Sequence, residues 1–149
     1  MSTLEYLSRK LESSDAEERR EAAIDLGRTG KGAVPLLLRA LGDMDWRVRK
    51  TAVEGLVSVG GDEVTNGLVQ RLSAEDNAGA RNSAIEALVQ IGAAAVAPIL
   101  SLLTTRDPDV RKFAVDVLGD IRDARAVPGL MEKLKDRDEN VRVAAAESL

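Results

Sequence analysis

The side chains that could do chemistry in this sequence are arginines beside acidic residues, because the chain contains no histidine and no cysteine. Without those two residue types there is no His/Cys metal site, no thiolate nucleophile and no Ser-His triad. What remains is a pair of Asp or Asn with Arg four residues later, which occurs five times, at Asp15 and Arg19, Asp45 and Arg49, Asn77 and Arg81, Asp107 and Arg111, and Asp138 and Arg142.

These ten residues, which we call the arginine ladder, suit one of two roles. The guanidinium groups could bind an anionic partner, or the ladder could be structural. In the structural role each Asp caps a helix and bonds the guanidinium of its own or the next repeat. Because the pair recurs beside every predicted helix start, we predict the structural role.

Two segments look like ligand sites but lack a required residue. Segment 27–32 is similar to a phosphate-binding loop, yet Asp25 and Gly32 stand where that loop needs Gly and Ser or Thr. Segment 136–147 is similar to an EF-hand, yet Val141 occupies the place of its turn glycine. We therefore predict no metal, no cofactor and no catalytic residue, so that the protein is not an enzyme.

Composition narrows the class further. Apolar residues make up 44% of the chain and aromatic residues only 2%, so the core must be built from Leu, Val, Ile and Ala, which suits thin layers of helices. The net charge of −4 argues against a nucleic-acid partner, which requires a basic excess. The start of the chain is too polar for a signal peptide, and the longest nearly apolar run, 92–103, is shorter than the roughly 18 residues of a membrane span. We predict a cytoplasmic protein with no membrane partner.

The strongest pattern is internal repetition of the form D/N-x-x-x-R-x-x-A-x-x-x-L. Its arginines are 30, 32, 30 and 31 residues apart, and the leucines of a second module, Leu41, Leu72, Leu103 and Leu134, are 31 apart. Both modules have helical spacing, so each repeat is predicted to be two short helices, A and B. The A helices are expected near 3–12, 33–41, 62–72, 94–104 and 124–134, and the B helices near 15–28, 46–59, 77–91, 108–121 and 139–149.

Start and stop signals agree with these helices. The ladder Asp and Asn residues stand at N-cap positions, and Gly30, Gly60 and Gly92 suit left-handed C-caps. A single helix pair cannot bury its apolar face, so the pairs are expected to stack into one all-α domain, residues 1–149. The five two-helix repeats, with about ten helices, lie near 1–30, 31–61, 62–92, 93–122 and 123–149.

The pattern V-P-x-L-x-x-x-L-x-D-x-D-x-x-V-R-x-x-A-x-x-x-L, clearest at 123–149, resembles HEAT repeats in the short form called PBS-lyase HEAT-like. The resemblance covers essentially the whole chain. It implies a right-handed α-solenoid whose B helices line a concave surface, and it implies a scaffold, adaptor or transport factor. A few relatives act on bilins, on DNA bases or on a lysine-derived residue. The iron-binding relative uses His-Glu pairs, which this chain lacks.

Residues beside the ladder that point away from the predicted core form two columns on the B helices. The basic column is Arg20, Lys50, Asn82, Lys112 and Val143, and the acidic column one turn on is Ile24, Glu54, Glu86, Asp116 and Glu147. They could be a solvated face with i,i+4 pairs, or a charged track for a peptide or helix. Trp46 and Phe113 are the aromatic candidates. The predicted contact residues are Trp46, Arg47, Lys50, Glu54, Asn82, Glu86, Lys112, Phe113 and Asp116.

The function predicted from the sequence is a non-catalytic scaffold that binds a protein or peptide on the concave B-helix face. The alternatives are an accessory subunit of an enzyme complex of the bilin-lyase kind and a HEAT-like protein acting on nucleic acid, which the acidic column disfavours. The sequence stops at Leu149, before the glycine that follows Leu26 and Leu118. That is typical of a module of a longer protein.

Overall fold

A computed structural model describes residues 1–74 and 76–149, and every predicted helix is found within them. No strand occurs in the described residues. The all-α repeat fold predicted from the sequence is thus confirmed. The α-helices are α1 (Thr3–Lys10), α2 (Ala16–Thr29), α3 (Val34–Ala40), α4 (Trp46–Val59), α5 (Asp62–Ala74), α6 (Ala78–Ile91), α7 (Val96–Leu100), α8 (Pro108–Ile121), α9 (Val127–Lys133) and α10 (Glu139–Ser148).

Three of the A helices begin with a tighter turn than the sequence predicted. A 3-10 turn precedes each of α3, α7 and α9, and another, Ser101–Thr104, follows α7. In α3 and α9 a proline lies in the first α-helical turn, where its missing N–H removes no hydrogen bond. These three A helices are therefore shorter as α-helices than their apolar periodicity suggests, whereas α5 (Asp62–Ala74) is slightly longer than predicted.

The B helices start at side-chain caps. The carboxylates of Asp15, Asp45 and Asp107 each accept a hydrogen bond from the backbone N–H two residues on, at 2.8–2.9 Å. Asp138 accepts from Asn140 and Val141, and the Asn77 side chain accepts from the Ala80 N–H at 3.2 Å. These bonds satisfy donors that a helix N-terminus otherwise leaves open.

The predicted C-cap glycines have positive φ, but two of them are not in the left-handed helical region. Gly30 has φ 95° and ψ −152°, and Gly60 has φ 64° and ψ −168°. This is an extended conformation with positive φ that only glycine adopts readily, so the predicted left-handed cap is wrong for Gly30 and Gly60. The left-handed helical conformation occurs instead at Arg122, with φ 59° and ψ 38°.

The chain divides into two compact units, Met1–Ala87 and Leu88–Leu149. In the first unit α2 packs on α1, α3 and α4, and in the second α8 packs on α7, α9 and α10. The predicted leucine core is confirmed. On the B helices Leu56, Leu88 and Leu118 are at most 1% exposed, and the A-helix residues that the pattern set opposite them, Leu37, Leu68, Ile99 and Leu130, are at most 3% exposed.

One stretch, Ala78–Thr104, is long and apolar enough by composition to cross a membrane. The 92–103 run considered in the sequence did not reveal this, because Glu86 and Gln90 interrupt the apolar residues before it. Composition alone does not distinguish a membrane span from a core helix. The backbone here is not one straight helix, since Gly92, with φ 73°, separates α6 from α7.

Candidate partner-binding face

In the first unit, Trp46 borders a groove between two B helices. Trp46 is the first residue of α4, directly after its cap Asp45, and it remains 61% exposed. The groove has a volume of about 250 Å³, and its lining residues are Trp46, Arg49 and Lys50 of α4 with Gly79, Asn82, Ser83 and Glu86 of α6. Four predicted contact residues, Trp46, Lys50, Asn82 and Glu86, are thus brought together.

The lining of this groove includes Gly79, which has no predicted role in the sequence. A Cβ at Gly79 would lie 3.2 Å from both Cζ and Nε of Arg49, so glycine lets the guanidinium lie against the start of α6. Nη1 of Arg49 donates to the carbonyl oxygens of Asp43 at 2.7 Å and Met44 at 3.2 Å. The groove lining therefore includes a cationic side chain that hydrogen bonds hold in place.

Some charged side chains of α2 and α4 are neutralised by pairs within their own helix end. Arg47 binds its neighbouring cap, with Nη2 3.0 Å from Asp45 Oδ2. The side chain and backbone N–H of Arg47 lower the pKa of Asp45 to about 2. Lys50 and Glu54 are exposed, whereas Arg20, in the same column on α2, pairs with Glu17 at 2.7 Å.

The second unit holds the other predicted contact residues, and their geometry differs. Lys112 Nζ lies 2.8 Å from Asp116 Oδ2, the i,i+4 pair expected of a solvated helix face. Phe113 is half-buried, unlike Trp46. That these residues continue the track begun at Trp46 stays a prediction.

Two of the ladder arginines, Arg19 and Arg111, form bidentate ion pairs with aspartates. These aspartates are not the N-cap aspartates of the ladder. Arg19 donates from Nε and Nη2 to the two oxygens of Asp43, at 2.8 and 3.1 Å. Arg111 makes the same two-pronged contact with Asp136, at 3.0 Å for both bonds. Each acid belongs to the following repeat, so the pair links adjacent layers. Both arginines are buried, at 9% and 3% exposure.

Asp43 and Asp136 also form hydrogen bonds within their own repeats. The backbone N–H of Asp45 donates to Asp43 at 2.8 Å, and that of Asp138 donates to Asp136 at 2.9 Å. Their backbone carbonyls accept from the ladder arginine of their own repeat, Asp43 from Arg49 and Asp136 from Arg142. One aspartate thus connects two layers through its side chain and its carbonyl.

The expectation that the capping acids bond the guanidinium groups is corrected at these positions. A capping carboxylate already faces the N–H groups of its helix, so the residue two places earlier is better placed to reach the preceding layer. The sequence does contain a signal for these pairs, because Asp43 and Asp136 are each the first Asp of a D-x-D motif. We assigned that first Asp no role from the sequence. Arg81 is half-buried, and its structural role stays a prediction.

Burial and ion pairing shift the pKa of Asp136 in opposite directions. Burial raises the pKa of Asp136, but hydrogen bonds from Arg111 and from the N–H of Asp138 outweigh it and lower the pKa to about 2. In the corresponding pair between the first and second repeats, the hydrogen bond to Asp43 raises the pKa of Arg19. Among residues 1–74 and 76–149, no group of three or more acidic side chains could hold a metal ion.

These features define a class of protein, a helical repeat protein in which Asp–Arg pairs join two-helix layers. The sequence profile of HEAT repeats matches residues 4–89 and 96–149, and that of the PBS lyase HEAT-like repeat matches residues 80–105. The chain belongs to the HEAT-repeat family.

Similar proteins include a phycocyanobilin lyase subunit and members of two protein complexes. The chain is 34% identical over 113 residues to the phycocyanobilin lyase subunit beta of Thermosynechococcus vestitus, covering 74% of this chain but 52% of that protein. The structure of the CpcE–CpcF complex of phycocyanin lyase from Nostoc sp. PCC7120 aligns with 26% identity and a TM-score of 0.51, over 99% of this chain and 64% of that one.

A third similar structure is the condensin Cnd3–Cnd2 subcomplex of S. pombe, with 27% identity and a TM-score of 0.52 over 97% of this chain and 22% of that one. Both similar structures are of protein complexes. This chain spans about half the length of the lyase subunit that it matches.

Proposed function

We propose that the protein is a non-catalytic scaffold whose B-helix groove at Trp46 binds a segment of a partner protein. The observation that carries this proposal is a 61% exposed tryptophan at the edge of a groove that also holds cationic, amide and acidic groups. Tryptophan is enriched among the residues that dominate binding energy at protein interfaces.

The groove also favours a particular kind of partner. Its lining includes Arg49, Lys50, Asn82 and Glu86, so it offers hydrogen-bond donors and acceptors beside the ring of Trp46. A peptide with an apolar side chain next to a polar or acidic one would use all of them. A binding role also fits a sequence that supplies no histidine or cysteine for acid–base or nucleophilic work.

Capture of partners with the full chain as bait, followed by calorimetry on point variants, tests this proposal. Trp46→Ala should weaken binding by about 2 kcal/mol or more, because truncation removes the ring from a partly desolvated contact. Tyr6→Ala is the matched control, since Tyr6 is an exposed aromatic residue, at 54%, on an A helix. A partner that loses affinity for Tyr6→Ala but not for Trp46→Ala would place the working surface on the A helices.

A second candidate function is that of an accessory subunit in a bilin-lyase complex. The 34% identity to a lyase subunit and the 26% identity to the CpcE–CpcF pair favour it. In that case the chain would hold a second repeat subunit or the protein substrate, while the bilin chemistry takes place in the assembled complex.

Reconstitution distinguishes the two functions. The chain would be mixed with a second lyase subunit, a phycocyanin subunit lacking its pigment, and phycocyanobilin, and the absorbance of the protein-bound pigment would be followed. Pigment attachment that requires this chain would establish the accessory role. Failure to form a complex with either protein would leave the scaffold as the function.

A further inference from the structure

One cation of the basic column on the B helices has no acidic partner among residues 1–74 and 76–149. Arg20 pairs with Glu17 at 2.7 Å, and Lys112 pairs one turn along its own helix at 2.8 Å. Lys50 is exposed and forms no ion pair with a described residue, although Glu54 stands one turn further along α4. The ammonium group of Lys50 can therefore bind a ligand without first breaking an existing pair.

Arg49, next to Lys50 in the lining of the groove, has the geometry of a ladder arginine that binds a carboxylate. Its Nη1 donates to the carbonyl oxygens of Asp43 and Met44, as Nη1 of Arg111 donates to two loop carbonyls at 2.9 and 3.0 Å. In Arg111 the Nε–Nη2 edge binds both oxygens of a carboxylate, and the residue is buried. Arg49 is half-buried and pairs with no carboxylate of the described residues. Its Nε–Nη2 edge is thus suited to a carboxylate that a ligand supplies.

The α6 side of the groove adds neutral donors and one acid. Asn82 offers the N–H groups of its amide, and Ser83 offers a hydroxyl group. Glu86 is the one acidic residue of the lining, and it already has an interaction partner in the chain. Outside the lining, Asp45 is neutralised by Arg47. Two cations and two neutral donors therefore face one engaged carboxylate, so the groove is complementary to a negative group.

Trp46 sets the spacing that such a ligand needs. Residues three and four positions apart on a helix lie on one face, with Cβ atoms about 5–6 Å apart. Arg49 and Lys50 therefore lie beside the exposed indole of Trp46. In an extended segment, residues two positions apart point to the same side and lie about 6.6 Å from each other. An apolar side chain on the indole thus places a side chain two residues away at the two cations.

We propose that the groove at Trp46 is a receptor for an acidic segment of a partner protein. The segment binds in an extended conformation, with an apolar residue on the indole and, two positions away, an Asp or Glu between Lys50 and the Nε–Nη2 edge of Arg49. This binding mode rests on the function proposed for the groove and names the chemistry of its partner. A nucleic acid is a poorer ligand, because the chain has a net charge of −4 and Glu54 and Glu86 lie beside the cations.

Selection from a phage-displayed library of random seven-residue peptides, with the full chain as bait, tests the proposal. The enriched peptides should share an apolar residue followed or preceded two positions away by Asp or Glu, and Lys50→Gln should lose that pattern. Enriched peptides that require Trp46 but contain no acidic residue would overturn the proposal and leave the groove as the binding surface. Peptides that bind Trp46→Ala as well as the wild type would contradict the proposed function itself. A library without any binder overturns the proposal.

Calorimetry with the most enriched peptide measures the contribution of the carboxylate. Replacing its acidic residue by the corresponding amide should weaken binding at least about tenfold, the loss expected when a charged hydrogen-bond partner is removed. Arg49→Lys keeps the charge but removes the two-pronged edge, so it should also weaken binding severalfold. Because the peptide change leaves the protein intact, its result holds even if Arg49→Lys lowers stability. Equal affinity of the acidic and amide peptides overturns the proposal.

Neighbouring charges provide the controls. Glu54→Gln removes an acid beside Lys50, so it should leave the affinity for an acidic peptide unchanged or raise it, because it removes a repulsion. Arg28→Ala should have no effect, since that side chain is 79% exposed and lies at the end of α2, outside the groove lining. Weaker binding to Glu54→Gln together with normal binding to Lys50→Gln would mean that the groove takes a cationic segment, which overturns the proposal.

Discussion

At the scale of the residue, Asp136 combines several contacts in one buried side chain. Its carboxylate accepts from Arg111 of the preceding layer, from Lys133 at 3.4 Å and from the N–H of Asp138, while its carbonyl accepts from Arg142. The side chain is 4% exposed. Removing one member of a buried ion pair costs more than the pair itself contributes, because the other charge is left without its partner.

The charge of Asp136 should make stability depend on pH. Its pKa in the folded protein is about 2, below the ordinary 3.8, so its contribution is present above about pH 4. It is lost as the pH falls from about 4 towards 2, and it amounts to roughly 2 kcal/mol. Urea unfolding at pH 5 and pH 2.5 measures it. Asp136→Asn should flatten this dependence, whereas exposed Asp120→Asn should not. A full acid loss in Asp136→Asn would assign the effect to other carboxyls.

Arg122 is the one described non-glycine residue with positive φ, and it stands at the end of α8. A side chain in the left-handed region costs about 1 kcal/mol, and glycine avoids this cost although it gains unfolded-state entropy. Arg122→Gly should therefore stabilise the protein by about 0.5 kcal/mol, measured as a rise in the urea midpoint. Arg122→Ala, which keeps a Cβ, is the control and should bring no gain. A lower midpoint for the glycine variant would show that the arginine side chain makes a stabilising contact.

At the scale of the element, the sequence predicted what local physics determines. The N-caps at Asp15, Asp45, Asp107 and Asp138 could be predicted because an Asp directly before a segment of helical apolar periodicity is a preferred N-cap residue. The period itself predicted the burial of Leu56 and Leu118. The Arg19–Asp43 pair was harder, because its partners are 24 residues apart and only the stacking of layers brings them together.

The candidate site was less predictable than the fold. Exposure of Trp46 followed from its position before the core period, but the groove depends on how α4 and α6 approach each other at Gly79. Phe113 looked similar in the sequence and is half-buried, since its burial is set by neighbouring helices rather than by its own period. Roles of surface residues depend on such tertiary contacts, for which a single sequence has no direct signal.

The buried Leu88 and the exposed Leu149 should differ in their contribution to stability. Leu88 is fully buried, and Leu149 is 53% exposed. Leu88→Ala should cost roughly 2–5 kcal/mol because it removes buried methylene groups and leaves a cavity. Leu149→Ala should cost much less. Urea unfolding of the two variants provides the comparison, and equal losses would contradict the layered packing described for α8 and α10.

At the scale of the whole molecule, stability is expected to follow the layers. Repeat proteins gain stability from contacts between neighbouring layers, so a layer covered on one side opens more easily than one covered on both. In the second unit α8 packs on α7, α9 and α10, while α10 packs on α8 and α9.

Amide hydrogen exchange should reflect this order. The amides of α10 should exchange faster than those of α8, since opening the outer layer exposes less apolar surface. Mass spectrometry of exchanged peptides from the two helices would measure the difference. Equal protection in both helices would mean that the unit opens only as a whole.

The exposed position of Trp46 has a spectroscopic consequence. It is the only tryptophan in the chain, so it dominates the intrinsic emission when excited near 295 nm. An indole that is already 61% in water should emit at long wavelength in the folded protein and change little on unfolding. Denaturation should therefore be followed by circular dichroism. A ligand that covers the indole, by contrast, should shift its emission to the blue, which provides a label-free titration signal for the groove alone.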